Sequence, residues 1–535
     1  MQLLRKLISS LAIAAIVTLP VSAPVSANGH DDRDDQPIKH VLLISVDGFH
    51  ALDLTNYVAA HPGSTLAQLS EHGITYTNNS TSQPSDSFPG LASLVTGGSP
   101  TTTGLWYDDT YNRKLSPPKQ TDGLGDPGGS CPGTVGTIVA WDESVDIDLT
   151  QLNGGGGFNP NYLVRDPNNG CATILPHQYL RVNTIFEVVK ANGGYTAWTD
   201  KHPSYEWTNG PSGKGVDDFY GPETNSIPVA LPQFPGCSPV PFPDTTYDDG
   251  WTTNLKNIQC YDDLHVQAVL NEIDGYTHDR SRKAPVPAVF GTNFQAVSVG
   301  EKLKGNGYTD VLGTPSAGLE SELEFIDQSL GKFVSELKSQ GLYSSTLIIV
   351  AAKHGQSPID VQKRVGIGGG QPTATIGSAD AFDISDDGSL IWLTDPSLTA
   401  SVVATLSTPT NQAALGIQEI FALNSLSEKF NVPGSGPGED PRTPDIVLKV
   451  NTGVIFTGGS KIAEHGGFNE DDIHTALLVS FPTLQQQTVK TFVLNQQVAP
   501  TIVQALGIDP NELQAVQEEH IHVLPFLFDA LGDHD

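Results

Sequence analysis

Val41-Leu42-Leu43-Ile44-Ser45-Val46-Asp47-Gly48 is a run of apolar and small residues that ends in a carboxylate and a glycine. It lacks the polar alternation of a strand with one wet face, and so reads as a parallel strand buried on both faces. Asp47 then stands at the carboxyl end, the edge at which open α/β sheets bind ligands. Further on, Pro84-Ser85-Asp86-Ser87-Phe88-Pro89-Gly90 opens a helix-like run that ends at Thr96-Gly97. Pro89 is acceptable in a first helical turn, which puts Ser87 at a positive helix N-terminus that favours an alkoxide or a bound anion. Taken singly, Ser87 is as readily a cap and Asp47 a turn residue. In this order they point to a metal-assisted nucleophile.

Working outward, strand-like and helix-like segments alternate, which argues for a mostly parallel sheet covered by helices on both faces. Helices are expected at 182–192, 265–273, 317–340 and 499–506. Strands are expected at 195–199, 288–290, 346–352, 389–393, 446–450 and 476–480. Residues 108–180 and 203–260 are rich in Gly, Pro, Asn and Asp and read as insertions or caps on a single domain spanning 38–535. Ser385-Asp386-Asp387-Gly388 reads as a hairpin turn. Trp106-Tyr107-Asp108-Asp109 suits either a pocket lining or the turn that begins the first cap.

Residues 1–27 carry Arg5 and Lys6, an apolar stretch from Leu7 to Leu19 and small residues ending at Ala27, the pattern of a secretory signal. The apolar stretch is short for a bilayer span, and no later segment approaches about 18 uninterrupted apolar residues, so no membrane anchor is expected. The protein is expected to be secreted or periplasmic, with residues 28–37 as a disordered acidic leader. Loss of Arg5 and Lys6, with no acid in residues 1–27, takes the formal charge from −32 to −34. Such a surface repels nucleic-acid polymers. An even set of cysteines in an exported chain suggests disulfides, and sequential pairing of Cys131 with Cys171 and Cys237 with Cys260 is expected. No Cys-x-x-Cys spacing supports a zinc site in their place.

Two histidines are each followed by glycine near a strand end or turn: Lys353-His354-Gly355 and Glu464-His465-Gly466. Glycine lets the backbone turn tightly while the imidazole reaches inward, although either histidine alone reads as structural. The ordered set Asp47, Ser87, His354-Gly355 and Glu464-His465-Gly466, closed by Val498-Ala499-Pro500-Thr501-Ile502, resembles the alkaline phosphatase superfamily. Within it, the chain is most similar to the type I phosphodiesterase/nucleotide pyrophosphatase branch. The resemblance implies an α/β sheet sandwiched between helices, long cap insertions, and two zinc ions assisting in-line attack on phosphorus. It also implies that Ser87 is the nucleophile and a metal ligand, with Asp47, His354 and His465 as further ligands.

The chain departs from that pattern at two places. Lys353 stands where the family has an aspartate, and Gly291-Thr292-Asn293-Phe294-Gln295-Ala296-Val297 replaces an Asp-x-x-x-His pair. At an effective dielectric near 20, a divalent ion about 4 Å from an ammonium loses roughly the 8 kcal/mol that it gains from a carboxylate at that distance. The implied cofactor is therefore a divalent metal, zinc, with one ion rather than two, or else the Lys353 ammonium takes one cation's place as a catalytic group. Asp200 and His202 follow a core strand and are candidates to compensate; the plainer expectation is a turn aspartate and a surface histidine. Asn293 and Gln295 are expected to line the site of the lost ligands or to bind a substrate oxygen. The expected activity is hydrolysis of a small-molecule phosphoester of phosphodiester or pyrophosphate type. The alternatives are a sulfate or phosphonate ester, or a binding protein without turnover.

Overall fold

The apolar run forms β1 (His40–Val46) and sits inside an eight-stranded sheet. The computed structural model describes residues 37–120, 129–234, 236–239 and 250–532. The signal segment and all of the acidic leader except Pro37 lie outside the described residues. The other strands of this sheet are β2 (Gly73–Tyr76), β3 (Ala197–Thr199), β4 (Asp218–Tyr220), β5 (Val289–Phe294), β6 (Thr346–Ala351), β11 (Leu477–Ser480) and β12 (Gln487–Val489). Their order is β12-β2-β11-β6-β1-β5-β3-β4. β1 pairs in parallel with β5 and β6, and β11 alone runs against its neighbours.

β1 alternates two buried faces rather than one wet and one dry. Val41 and Leu43 join a cluster with Phe88, Leu91, Ile185, Phe186, Val498 and Ile502. Leu42, Ile44 and Val46 join the opposite cluster with Ile258, Val269, Leu319 and Phe333. The helices supplying the first face are α2 (Ser87–Thr96), α3 (Ile185–Ala191) and α6 (Val498–Ala505). The second face takes α1 (Ala51–Ala60), α4 (Leu255–Ile273) and α5 (Ala317–Ser339). This is the alkaline-phosphatase-like sandwich, with the sheet's hydrophobic burial on both sides as its main stabilisation.

Several elements differ from the sequence-based expectation. The expected strands at 389–393 and 446–450 do not extend the main sheet. As β8 (Gly388–Leu393) and β10 (Ile446–Val450) they join β7 (Asp380–Ser385) and β9 (Ile417–Ala422) in a separate antiparallel sheet, ordered β7-β8-β10-β9. Ser385–Gly388 does form the turn between β7 and β8, but Asp386 accepts a hydrogen bond from Tyr107. The strand expected at 288–290 runs on to Phe294, because Gly291 lets β5 press against β1: a Cβ there would lie 1.8 Å from the Leu43 carbonyl oxygen. The 203–260 region contains the edge strand β4 and the start of α4, ten residues ahead of the expected helix. Cys131 pairs with Cys171 and Cys237 with Cys260, in the expected sequential order.

Candidate active site

Asp47 follows β1 directly, and Gly48, at φ +84°, turns the chain away so that the carboxylate stays at the sheet edge. Ser87 is the first residue of α2, whose cap is Asp86, accepting from the Phe88 amide at 2.9 Å. Gly90, one turn in, lets α2 lie against the end of β6: a Cβ there would stand 2.2 Å from the Lys353 carbonyl oxygen. That close approach brings the hydroxyl to the histidine. Ser87 Oγ lies 3.1 Å from His354 Nε2 and 3.5 Å from Asp47 Oδ2.

The remaining neighbours of Ser87 come from the segment after β3. Lys201 Nζ donates to Ser87 Oγ at 2.9 Å and lies 3.3 Å from Asp47 Oδ2. Gln295 Nε2 donates to the same Asp47 oxygen at 2.6 Å. Lys353 does not reach Ser87. Its Nζ donates to Asp200 Oδ1 at 2.8 Å and lies 4.2 Å from the centre of the Tyr205 ring, while Trp198 Nε1 donates to Asp200 Oδ2 at 3.1 Å. Lys353 and Asp200 are a fully buried ion pair, so Asp200 is no turn residue. His202 is buried as well, its Nδ1 2.8 and 2.9 Å from the two Glu223 carboxylate oxygens. The expectation of a surface histidine is thus corrected: β4 and the 203–209 turn cover it.

His465 lies beside His354 with ring centroids 4.0 Å apart and planes tilted by 39°, and its Nδ1 lies 3.6 Å from Asp86 Oδ1. Asn293, in β5, is buried with neither amide atom hydrogen-bonded among the described residues. Lys201 carried no expected role, although a lysine between two candidate residues at a core strand's end stands out in a chain with 28 basic and 60 acidic residues. Lys302 and Lys461 were not singled out either. Both pair with Glu464, and with Lys201, Gln295 and Asp108 they line a cleft of ≈ 320 Å³.

The electrostatics assign protonation states. Burial disfavours the Asp47 carboxylate, but Lys353, Lys201 and His354 outweigh it and hold its pKa well below the usual range. For Lys201, burial is outweighed by Asp47, Asp86 and Asp200, and its pKa rises, keeping the ammonium charged. Burial pulls the His354 pKa down against the opposing pull of Asp47. With Nδ1 2.9 Å from the Gly355 carbonyl oxygen, neutral His354 carries its proton there and leaves Nε2 as an acceptor facing Ser87.

The donor set decides whether metals fit. Asp47 Oδ2, Ser87 Oγ and His354 Nε2 are 3.1 to 3.6 Å apart, a spacing that a small divalent ion accepts. The Lys201 ammonium, however, already bonds two of the three, and Gln295 occupies the third side of Asp47 Oδ2. An ion there would lose to Lys201 about the 8 kcal/mol it gains from Asp47 at an effective dielectric of ~20. The two-ion arrangement does not fit these residues, and a single ion does not fit while Lys201 holds its place. Two other groups of the described residues place metal-binding atoms together: His50 with Asp53 and Glu301, and His202 with Glu143 and Glu223.

A buried Asp at a parallel strand's carboxyl end, a hydroxyl at a helix N-terminus and a His-Gly turn at the next strand thus meet at one edge of the sheet. The sequence model of the type I phosphodiesterase / nucleotide pyrophosphatase family matches residues 41–161 and 261–474, more than half of the chain, and the chain belongs to that family. It is accordingly a hydrolase acting on ester bonds of the phosphoester class. The unmatched stretch, 162–260, carries Lys201, His202 and Glu223. No curated protein matches the chain in sequence. Among solved structures, the wild-type alkaline phosphatase PafA is similar with a TM-score of 0.57 at 14% identity, covering 88% of this chain and 96% of that one. Murine ectonucleotide pyrophosphatase/phosphodiesterase 5 is similar with a TM-score of 0.53 at 13% identity and the same coverage. An inactive variant of that protein has been solved in complex with AMP.

Proposed function

We propose that the protein is an exported hydrolase of phosphodiester or pyrophosphate-type bonds, in which Ser87 attacks phosphorus and an ammonium takes the place of a metal ion. The observation that carries this reading is the contact of Lys201 Nζ with Ser87 Oγ at 2.9 Å, opposite His354 Nε2 at 3.1 Å. His354 Nε2 accepts the hydroxyl proton as the Oγ–P bond forms and the bond from phosphorus to the leaving oxygen breaks. Lys201, aided by the α2 N-terminus, stabilises the developing charge on Oγ and on the phosphoryl oxygens. The protonated His354 gives up its proton, which neutralises the leaving oxygen. Water then attacks the phosphoryl-Ser87, His354 takes a proton from the water, and Oγ regains one as its bond to phosphorus breaks.

Asp47 holds Lys201 and orients the site, while Lys302 and Lys461 on the cleft wall supply further charge for an anionic substrate. Small molecules, rather than nucleic-acid polymers, suit a cleft of ≈ 320 Å³ on a chain of formal charge −32. The signal-like residues 1–27 and the two disulfides support export. Asn293, buried without a partner, favours a second reading in which the fold binds a ligand without turning it over.

One experiment separates these readings. Wild type, Ser87→Ala and Lys201→Ala are assayed on aryl phosphate monoesters, phosphodiesters and sulfate esters, with bound metal measured on each. The hydrolase reading expects turnover of a phosphoester that Ser87→Ala abolishes and Lys201→Ala sharply reduces. Turnover of sulfate esters alone moves the assignment to that ester class. Absence of all turnover in wild type supports the binding protein.

A further inference from the structure

A second cluster of ionisable groups reaches the same cleft through His202, and the hydrolytic reading does not use it. Glu143, His202 and Glu223 bring ligand-type atoms within 4.8 Å of one another. Glu223 and His202 are buried, and His202 also lines the cleft. Nδ1 of His202 is taken by Glu223, while its Nε2 makes no hydrogen bond among the described residues. Asn225 braces the pair, its side chain donating to Glu143 Oε2 at 2.8 Å and its amide to Glu223 Oε1 at 2.8 Å.

An independent observation points to a ligand. Asp146 is 2% exposed, and no N–H or hydroxyl donor reaches its carboxyl among the described residues; it meets the carboxyl of Glu223 instead. Its carboxylate packs against Gly154, where an added Cβ would meet it at 2.5 Å, and it interacts with Glu223, Glu143 and Asp142. Ionised carboxylates buried together are costly, and here burial and mutual repulsion push the Asp146 pKa up to about 9, so the carboxyls keep protons that a bound cation would displace. Asp142 and Ser144 satisfy each other, with Asp142 Oδ1 accepting from the Ser144 amide at 3.0 Å. No lysine or arginine makes an ion pair with Glu143, Asp146 or Glu223 among the described residues, whereas around Ser87 two lysines face Asp47 and Asp200. The cluster has carboxylates and an imidazole, and the ammonium that acts on it, that of Lys201, is bonded to Asp47 and Ser87 instead.

We propose that Glu143, His202 and Glu223, with Asp146 behind them, form a binding site for one divalent transition-metal ion, distinct from the Ser87 site. Imidazole with carboxylates suits zinc or manganese better than the all-oxygen shells of calcium and magnesium. By gripping His202 and the chain on either side of it, the ion holds the turn that aims Lys201 at Ser87. The His50 group does not offer the same: both of its ring nitrogens are hydrogen-bonded, Nδ1 to Asp53 and Tyr308 and Nε2 to the Gln356 amide.

The test uses the full secreted chain, stripped with chelator and titrated by calorimetry with ZnCl2, MnCl2, CaCl2 and MgCl2, with the melting temperature followed alongside. The expected result is one equivalent of zinc or manganese, bound more tightly than calcium or magnesium and accompanied by a rise in melting temperature. Both effects weaken by about tenfold or more in affinity in His202→Ala and Glu223→Gln. Without metal, Asp146→Asn replaces a carboxyl that burial and Glu223 push up to about pKa 9 and so hold protonated, and it folds about as well as wild type, yet it binds the ion less tightly. Asp47→Asn keeps the ion. The proposal is overturned if no equivalent binds. It is equally overturned if Asp146→Asn is stabilised with unchanged affinity, or if binding is lost in Asp47→Asn and kept in a folded His202→Ala.

Discussion

Two clusters joined through the adjacent residues Lys201 and His202 balance their charge in opposite ways. Around Ser87, Asp47 and Asp200 are each met by a lysine at 3.3 and 2.8 Å. Around His202, the carboxyls of Glu143, Asp146 and Glu223 meet an imidazole and an asparagine, with no lysine or arginine in an ion pair with them among the described residues. On the proposed reading, the difference teaches that a divalent ion is not a fixed requirement of this fold's active edge. A lysine from a neighbouring strand end can hold a cation's place, and a cluster left without one marks where an ion is still needed.

The largest expected effect falls on the Ser87 side. Ser87→Ala should lower kcat/KM by about 10³-fold or more, since it removes the attacking atom rather than tuning it. Lys201→Ala should cost about 10²–10³-fold, the scale of losing one preorganised donor to a developing charge. Steady-state kinetics on a common aryl phosphoester rank the two.

The ion pair behind the site should answer in stability. Lys353→Ala leaves buried Asp200 uncompensated and should cost about 3–5 kcal/mol in chemical denaturation. Lys353→Met with Asp200→Asn together should recover most of it. A Lys353→Ala protein of full stability and no activity would instead return Lys353 to a direct catalytic role.

The pH profile gives a smaller and more specific effect. Burial lowers the His354 pKa, so its neutral form persists below the usual histidine range, and the acid limb of kcat/KM should fall below about pH 6.5. The raised Lys201 pKa keeps the ammonium charged through the alkaline range, so no alkaline limb is expected below about pH 10. Gly90→Ala tests the geometry behind both. Its Cβ would meet the Lys353 carbonyl oxygen at 2.2 Å, and the shift should cost about 1–3 kcal/mol and loosen the Ser87–His354 contact.

The sequence made the Ser87 side legible because each group ends or begins an element whose pattern is strong. Asp47 closes an apolar strand, Ser87 opens a helix with Pro89, and His354 follows the next core strand. Lys201 was not legible, because its Nζ reaches the site through a four-carbon stem whose direction depends on packing after β3. His202 and Asp200 read locally as surface and turn residues, since nothing in sequence signals that Glu223 and the Tyr205 ring pack against His202 or that Lys353 pairs with Asp200. The strand through Asn293 was cut short because Gly-Thr-Asn has poor local strand propensity, and only the close approach of β1 at Gly291 explains it. The second sheet was folded into the first because its strands show the same apolar pattern, and pairing partners cannot be read from pattern alone.

The most direct test is to quench the protein in acid during turnover of an aryl phosphoester and search its peptides by mass spectrometry for a phosphoryl group. The expected adduct lies on Ser87, is absent from Ser87→Ala, and forms in protein stripped of metal. Turnover with no adduct on Ser87, or with Ser87→Ala fully active, would contradict the account.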